Sequence, residues 1–351
     1  MGSLSHLIAE LHQDCLVASA NQSQVTAGLA SKRIAMTGGT GFMGSWIAQM
    51  VCALNDEYRL NISLDLYARN TSGWSKKYPH LSGRKEIHLR PQDVRSPFEF
   101  EKDTSFIIHA AGIPDNRIHA SDPWRVQQTT VLGTANALDA ANQLTELEHF
   151  LNLSSCLVNG TPNRSGALAE EDFFPITSGK LHQVYVDAKR SSESLAAIYR
   201  SQFRLPISTL RPFTFIGPYQ ELDRPWAINS FLNDAIIGRD IRIHGDGSAR
   251  RSYLYGSDVA FWILAALIKG HSGSTYNLGS AISVAHSDLV GLICDKTALR
   301  SKLSFNTAPA SVVRPDDLFP NTALTMMNLG VQETCNLEQA LDKTWRWNTI
   351  K

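Results

Sequence analysis

A tyrosine and a lysine four residues apart are the residues of this sequence best suited to chemistry. Tyr185 and Lys189 lie in a stretch whose apolar spacing predicts a helix that continues to about Tyr199. The spacing puts both side chains on one helical face, where the ammonium would favour the phenolate and lower the tyrosine's pKa. Such a tyrosine can act as acid or base near neutral pH, and Ser155 could hold a substrate oxygen beside it. Alone, this pair is common and mostly structural.

A glycine-rich turn lies earlier in the chain. An apolar run from Arg33 to Thr37 leads into Gly38, Gly41 and Gly44, and a helical pattern begins at the last of them. Strand, tight turn and helix are the context that a dinucleotide fingerprint requires, with the pyrophosphate at the helix N-terminus. A glycine loop without a ligand is the alternative. The residues of this turn expected to bind the cofactor are Gly38, Thr40, Gly41, Phe42, Met43 and Gly44.

The tip of the second predicted strand, Ile62–Ala68, bears on the choice of cofactor. In dinucleotide-binding folds a carboxylate at this tip accepts hydrogen bonds from the ribose hydroxyls of NAD. Here the tip carries Arg69 and Asn70, while Asp65 falls inside the strand. A guanidinium suits a 2′-phosphate, so Arg69 favours NADP over NAD. Stacking of Arg69 on the adenine of NAD is the alternative.

Strands and helices alternate through the first half of the chain. Apolar runs predict strands at Glu86–Arg90, Thr104–His109 and Phe150–Leu153, and a long helix over Pro123–Gln143. This order predicts an α/β fold with a doubly wound parallel sheet. The loops after these strands supply further expected cofactor contacts, with a turn-forming role as the alternative for the aspartate: Asp93, Val94, Ala110, Ala111 and Gly112.

The chain divides into three expected regions. Residues 1–31 form a helical arm followed by a polar linker, which we place at Asn21–Lys32. The apolar face of the arm favours packing over the sheet, with a dimer or regulatory contact as the alternative. Residues 32–216 form the dinucleotide-binding domain, to which 256–280 return. Residues 217–351 are mainly a smaller, α/β substrate-binding lobe, with helices predicted to Ile237 and over Leu337–Trp347.

Composition excludes several classes of partner. Lys and Arg total 33, as do Asp and Glu, so the chain has no net charge and no expected nucleic-acid or membrane partner. No apolar run approaches the roughly 18 residues that indicate a membrane span. The five cysteines are scattered without a CxxC pair, which argues against disulfides and metal sites and fits a cytoplasmic location.

The order of these motifs carries more information than any one of them. The glycine turn, His109–Gly112, Ser154–Ser155 and the Tyr185/Lys189 pair resemble the extended short-chain dehydrogenase/reductase family, in its nucleotide-sugar epimerase/dehydratase branch. The resemblance covers residues from about 32 to 348. Later motifs agree with it: Leu210–Tyr219, Gly245–Gly247 with Arg251, and Tyr276–Gly279.

The resemblance implies roles for individual residues. Ser155, Tyr185 and Lys189 match the catalytic trio of a Rossmann-type enzyme, and Lys189 would also hold the nicotinamide ribose. Arg251 matches the arginine that grips the nucleotide-sugar phosphate, with a surface arginine as the alternative. Relatives usually dimerise through two helices, which here correspond to Pro123–Gln143 and the helix of Tyr185, so a homodimer is expected.

Departures from the family pattern reduce the number of reactions expected of this chain. Members that dehydrate or decarboxylate usually carry acidic residues just after the catalytic Ser/Thr, where this chain has Cys156 and Leu157. A 4,6-dehydratase is therefore disfavoured, and Cys156 is either a thiol acid or an apolar filler. Thr130 and Thr214 replace asparagines, and Asn159 replaces a tyrosine that forms an aromatic wall near the sugar.

The sequence therefore predicts an NAD(P)-dependent 4-keto reductase that acts at C4 of a nucleotide-activated sugar. A nucleotide-sugar 4-epimerase with tightly bound NAD is the main alternative. A non-catalytic dinucleotide sensor and a reductase of free carbonyl compounds are further alternatives. The expected substrate contacts are Ser155, Cys156, Thr214 and Arg251.

Overall fold

A seven-stranded parallel sheet is the centre of the molecule. The computed structural model describes residues 3–297, 303–306 and 317–350. The strand order β11-β6-β5-β4-β1-β2-β3 and the parallel pairings confirm the predicted doubly wound sheet. In chain order the strands are β1 (Arg33–Thr37), β2 (Ser63–Ala68), β3 (Ile87–Pro91), β4 (Thr104–His109), β5 (His149–Leu153), β6 (Ile207–Pro212), β7 (Phe215–Ile216), β8 (Ile241–His244), β9 (Arg250–Ser252), β10 (Leu254–Tyr255), β11 (Thr275–Leu278), β12 (Ser283–Ala285) and β13 (Leu303–Asn306).

Helices cover both faces of this sheet. Alternate residues of β1 point to opposite sides, with Ile34 and Met36 in one hydrophobic layer and Ala35 in the other. In chain order the helices are α1 (Leu4–Ser19), α2 (Ser23–Leu29), α3 (Phe42–Tyr58), α4 (Thr71–Lys77), α5 (Pro79–Ser82), α6 (Asn116–Ser121), α7 (Pro123–Gln127), α8 (Gly133–Ala141), α9 (Val184–Phe203), α10 (Ala227–Ile236), α11 (Gly256–Lys269), α12 (His286–Thr297), α13 (Ala323–Leu329) and α14 (Leu337–Thr349).

Smaller strand pairs lie outside the central sheet. Strand β7 pairs with β10 and β8 with β13 in parallel, while β9 pairs with β12 in antiparallel fashion. The segment from α11 to β11 returns to the central sheet, where β11 pairs with β6. The boundaries of the three regions expected from the sequence stay a prediction. Within the ranges that the structure describes, no helix is both long and apolar enough to cross a membrane.

Two elements differ from the sequence prediction. The segment Asn21–Lys32, expected to be a polar linker, contains helix α2, because Val25 and Leu29 are buried one helical turn apart. The helix expected over Pro123–Gln143 is interrupted by a π-helical turn at Gln128–Leu132, which separates α7 from α8. Its wider hydrogen-bond spacing leaves no mark on the apolar pattern.

Helix α1 packs against the body of the protein, as the sequence favoured. Leu7, Leu11 and Cys15 are fully buried, and the helix contacts α3, α11 and α14. The carboxylate of Asp14 accepts hydrogen bonds from the Tyr255 hydroxyl at 2.9 Å and the Lys343 ammonium at 2.6 Å. The first and last helices are therefore held together by charge as well as by apolar packing.

Candidate active site

The glycine turn joins β1 to α3 and has room for an anion. A Cβ added at Gly41 would meet only the Gly38 carbonyl oxygen, at 3.5 Å, so the side of the turn at Gly41 is open. A Cβ added at Gly44 would lie 2.0 Å from the Gly39 carbonyl oxygen, so that position is confined to glycine. Helix α3 begins without a side-chain cap, which leaves its N-terminal amides for a phosphate. The residues present fit a dinucleotide pyrophosphate.

The charged side chains around the tip of β2 lie where the sequence predicts them. Asp65 is fully buried and its carboxylate bonds Arg33 at 2.8 Å and Arg90 at 2.7 Å, so it is committed to the sheet. Arg69 is exposed at the tip. At the end of β3, Asp93 pairs with the Arg95 guanidinium at 2.6 Å, which lowers the pKa of the Asp93 carboxyl. The Asp93 carboxylate also accepts the Arg95 backbone amide at 3.0 Å, which is the turn-forming role. A contact with adenine stays a prediction.

The segment Ala110–Gly112 leaves the end of β4 beside the glycine turn. The Thr37 hydroxyl lies 2.8 Å from His109 Nδ1 and accepts the Ala111 amide at 3.3 Å. His109 Nε2 lies 3.1 Å from the Thr134 hydroxyl. Complete burial lowers the pKa of His109 to about 3, so its neutral ring connects β1, β4 and α8. These bonds hold the expected cofactor segment in place.

The catalytic trio expected by resemblance comes together where β5 ends against α9. The Ser155 side chain lies beside the Tyr185 phenol and acts to lower its pKa. Lys189 donates from Nζ to the Leu153 carbonyl oxygen at 2.6 Å. A Cβ added at Gly112 would lie 3.5 Å from that Nζ, so the lysine reaches the cofactor segment. One serine, one phenol and one amine therefore face the same edge of the sheet.

The direction of the tyrosine's acidity differs from the sequence prediction. Burial raises the pKa of Tyr185 to about 12, although the Ser155 hydrogen bond acts in the opposite direction. Burial also lowers the pKa of Lys189 to about 8. The expected lowering by the ammonium is wrong for this chain, because Lys189 bonds the Leu153 carbonyl and desolvation dominates at the phenol. Tyr185 is thereby kept protonated near neutral pH.

Cys156 packs as an apolar side chain. It is buried in a cluster with Leu168 and Phe213, and burial raises the pKa of its thiol to about 12. The charge of Arg251 opposes this shift, which places the guanidinium near the thiol. Arg251 also donates from Nη1 to the Arg250 carbonyl at 2.8 Å. Strand β9 thus carries Arg251 within electrostatic reach of Cys156, which has the environment of an apolar filler.

The remaining predicted positions fall around this centre. Thr214 lies between β6 and β7, where its carbonyl accepts the Leu254 amide at 3.1 Å. Asn159 is fully buried and donates to the Asp172 carbonyl, so it fastens a loop. Phe42 stacks on Phe215 with ring centroids 6.1 Å apart. Met43 packs against the main core, and Val94 is buried with its carbonyl bonded to Asn136 at 2.8 Å.

Sequence reasoning missed one residue at the centre. His119, on α6, stacks on the Tyr185 ring with centroids 4.6 Å apart and planes 13° from parallel. Helix α6 has only six residues and no buried side chain, so no apolar periodicity marks it. The only available signal was its position shortly after the cofactor segment at the end of β4.

Comparisons with known proteins agree with this arrangement. The profile of the NAD dependent epimerase/dehydratase family matches residues 34–279. UDP-glucuronic acid decarboxylase 1 of Danio rerio is 24% identical over 318 residues, which cover 89% of this chain and 72% of that protein. UDP-N-acetyl-alpha-D-glucosaminuronate decarboxylase of Bacillus cytotoxicus is 27% identical over 327 residues, 90% of this chain and 97% of the relative.

A solved structure gives the corresponding result for the fold. UDP-glucuronic acid 4-epimerase from Bacillus cereus, in complex with UDP-glucuronic acid and NAD, superposes with a TM-score of 0.76 at 22% identity. The match covers 90% of this chain and 98% of the epimerase. With the matched profile spanning the glycine turn, the trio and β11, this chain belongs to the NAD dependent epimerase/dehydratase family, within the extended short-chain dehydrogenases/reductases.

Proposed function

We propose that this protein is an NAD(P)-dependent 4-keto reductase of a nucleotide-activated sugar. The observation that carries the proposal is the meeting of Tyr185, Ser155 and Lys189 beside a cradle that fits a dinucleotide pyrophosphate. Several relatives are named for UDP-linked sugars, and one structural neighbour was solved with UDP-glucuronic acid and NAD. Arg251, near Cys156, supports a phosphate-bearing substrate.

Ser155, Tyr185 and Lys189 would each have a separate role in the reduction. Ser155 holds the C4 oxygen beside Tyr185, whose phenol gives a proton to that oxygen. When bound, a reduced nicotinamide supplies the hydride that the C4 carbon accepts, so the carbonyl becomes a hydroxyl. Lys189, fixed by the Leu153 carbonyl, would hold the nicotinamide ribose. Water returns the proton to the phenolate after product leaves.

The protonated state of Tyr185 suits the reductive direction. With a pKa raised to about 12 by burial, the phenol is a proton donor at neutral pH, which is what reduction requires of it. The residue after Ser155 gives no support for dehydration or decarboxylation. Burial among apolar side chains raises the pKa of the Cys156 thiol to about 12. A C4 epimerase shares the trio and stays the second candidate, because one structural neighbour is a UDP-glucuronic acid 4-epimerase.

The bound cofactor separates these two reactions. An epimerase returns the hydride to its substrate, so it works with tightly held NAD and needs no added NADPH. We expect the purified protein to contain less than stoichiometric dinucleotide and to oxidise NADPH when given a 4-keto nucleotide sugar. Native mass spectrometry and absorbance of the released dinucleotide measure the first quantity, and a panel of UDP-, dTDP- and GDP-linked 4-keto sugars measures the second.

Tyr185→Phe is the matched control for this experiment. It should abolish turnover and leave the Kd for the dinucleotide within about threefold, because only the reacting hydroxyl is removed. Stoichiometric NAD with sugar conversion that ignores added NADPH would assign the epimerase. Turnover that survives the loss of the hydroxyl would remove Tyr185 from the mechanism.

A further inference from the structure

The stack of His119 on Tyr185 is a contact that the proposed reaction leaves unexplained. The two rings are nearly parallel, with centroids 4.6 Å apart, and they come from different elements, α6 and α9. Tyr185 is buried, so its face lies against the imidazole and not against solvent. Ring pairs at this separation attract each other by about 0.5–1.5 kcal/mol beyond their buried area.

The imidazole is itself fixed in place. Its Nε2 lies 2.6 Å from the Ile113 carbonyl oxygen, and since a carbonyl only accepts, Nε2 carries the hydrogen. The backbone amide of His119 donates to the Asp115 carbonyl at 3.0 Å. His119 is therefore held both by its side chain and by its backbone.

One ion pair stabilises that segment internally and a second links it to the rest of the protein. The Asp115 carboxylate accepts the Arg117 amide at 3.0 Å and pairs with the Arg117 guanidinium at 2.7 Å. It also lies 3.7 Å from the guanidinium of Arg224, which belongs to the loop before α10. The two arginines hold the pKa of the Asp115 carboxyl down, at about 2, so these pairs persist across the working pH range.

The phenol of Tyr185 is thus constrained from two directions. The Ser155 side chain lies beside its hydroxyl, and His119 covers its face. A hydrogen bond alone leaves the ring free to rotate about its long axis, because the hydroxyl lies on that axis. A parallel stack opposes this rotation, since turning the ring breaks the contact.

We propose that His119 is a positioning residue for the proton-donating tyrosine. It acts through the Tyr185 ring, whose plane it sets, and not through the substrate or through the exchange of a proton. The inference rests on the proposed function only in taking Tyr185 as the acid. Turning the ring leaves the phenolic oxygen in place but redirects its O–H, which prefers the plane of the ring. Loss of this orientation slows proton transfer, so the effect belongs in kcat.

Two substitutions at this position separate the stack from the hydrogen bond. His119→Gln keeps an N–H that reaches the Ile113 carbonyl and removes the flat ring. His119→Phe keeps the ring and removes the donor. We expect the glutamine variant to lose about 10- to 100-fold in kcat with little change in KM, and the phenylalanine variant to lose at most about threefold.

Other kinetic results overturn the proposal. Equal losses in both variants would assign the effect to the Ile113 bond and hence to a structural role. A rise in KM at constant kcat would make His119 a substrate contact. Full kcat in both variants would leave the stack without a role. Thermal unfolding and dinucleotide binding of each variant show whether it has folded.

A spectroscopic readout tests the stack without any nucleotide sugar. In protein labelled with ring-fluorinated tyrosine and bound to dinucleotide, the Tyr185 fluorine resonance is assigned by its loss in Tyr185→Phe. We expect a single ring orientation in the unsubstituted and phenylalanine proteins and averaging between orientations in the glutamine variant. An unchanged single orientation in the glutamine variant overturns the inference. Absence of turnover with every nucleotide sugar would instead contradict the proposed function and leave this result standing.

Discussion

At the scale of single residues, burial decides what each charged group can do. Desolvation raises the pKa of Tyr185 to about 12 and lowers that of Lys189 to about 8, and in each case it favours the neutral form. Asp65, also buried, is paired with Arg33 and Arg90. The carboxylate that a ribose would need is thereby engaged elsewhere, and Arg69 is left at the strand tip.

Arg69 gives a prediction about the cofactor. We expect Arg69→Ala to raise the KM for NADPH about tenfold or more, because a hydrogen bond to a charged group contributes about 1.5–3 kcal/mol. The KM for NADH should change by less than about threefold. NADH is the matched control, since it differs only in lacking the 2′-phosphate. Initial rates with each coenzyme measure both values, and a parallel rise for the two would assign Arg69 to stacking on the adenine.

At the scale of elements, helix α1 belongs to the core and gives a stability prediction. Leu11 is fully buried between α1 and its neighbours, whereas Leu4 at the start of the same helix is 48% exposed. We expect Leu11→Ala to lower the free energy of unfolding by about 2–5 kcal/mol through the cavity it leaves. Leu4→Ala, the matched control, should cost less than about 0.5 kcal/mol. Urea denaturation measures both, and equal small losses would make α1 a loosely attached arm.

Sequence patterns predicted the strands better than the connections. Apolar runs bounded by turn residues placed β4 at Thr104–His109, as observed, and most other sheet strands within a residue or two. Helix α2 was not predicted, because only Val25 and Leu29 of its seven residues are buried and its composition is otherwise that of a polar linker. The π-helical turn was not predicted, because it differs from an α-helix in hydrogen-bond spacing and not in residue type.

The sequence predicted the residues of the site that belong to short motifs, but not the contacts that the tertiary fold makes to them. Short motifs in order located the glycine turn, Ser155, Tyr185 and Lys189, because each motif has its own local geometry. His119 and the direction of the Tyr185 pKa shift depend on what packs against the phenol, and that is set by the tertiary fold. Local spacing carries no information about it.

At the scale of the whole molecule, the outer face of α9 is where a second copy is expected. An open groove there is lined in part by Val131, Leu195 and Ile198, and Ile198 is 44% exposed. If the protein is a homodimer through this face, Ile198→Glu should give monomers, because it would bury a charge in the interface. Ile237→Glu is the matched control, at a residue 49% exposed after α10. Light scattering after gel filtration measures the mass; a monomeric unsubstituted protein, or a dimer in both variants, would contradict this interface.

The bonds of Asp14 have a consequence for synthesis on the ribosome. Helix α1 emerges early, but Lys343, which holds Asp14, follows 329 residues later. The glycine turn and Tyr185 are therefore translated long before the helix that fastens the amino-terminal one exists. Contacts so distant along the chain stabilise a protein only after the intervening loop has closed. The ion pair that fastens α1 to α14 therefore forms only near the end of synthesis, whereas the packing of α1 against α3 involves residues that are made early.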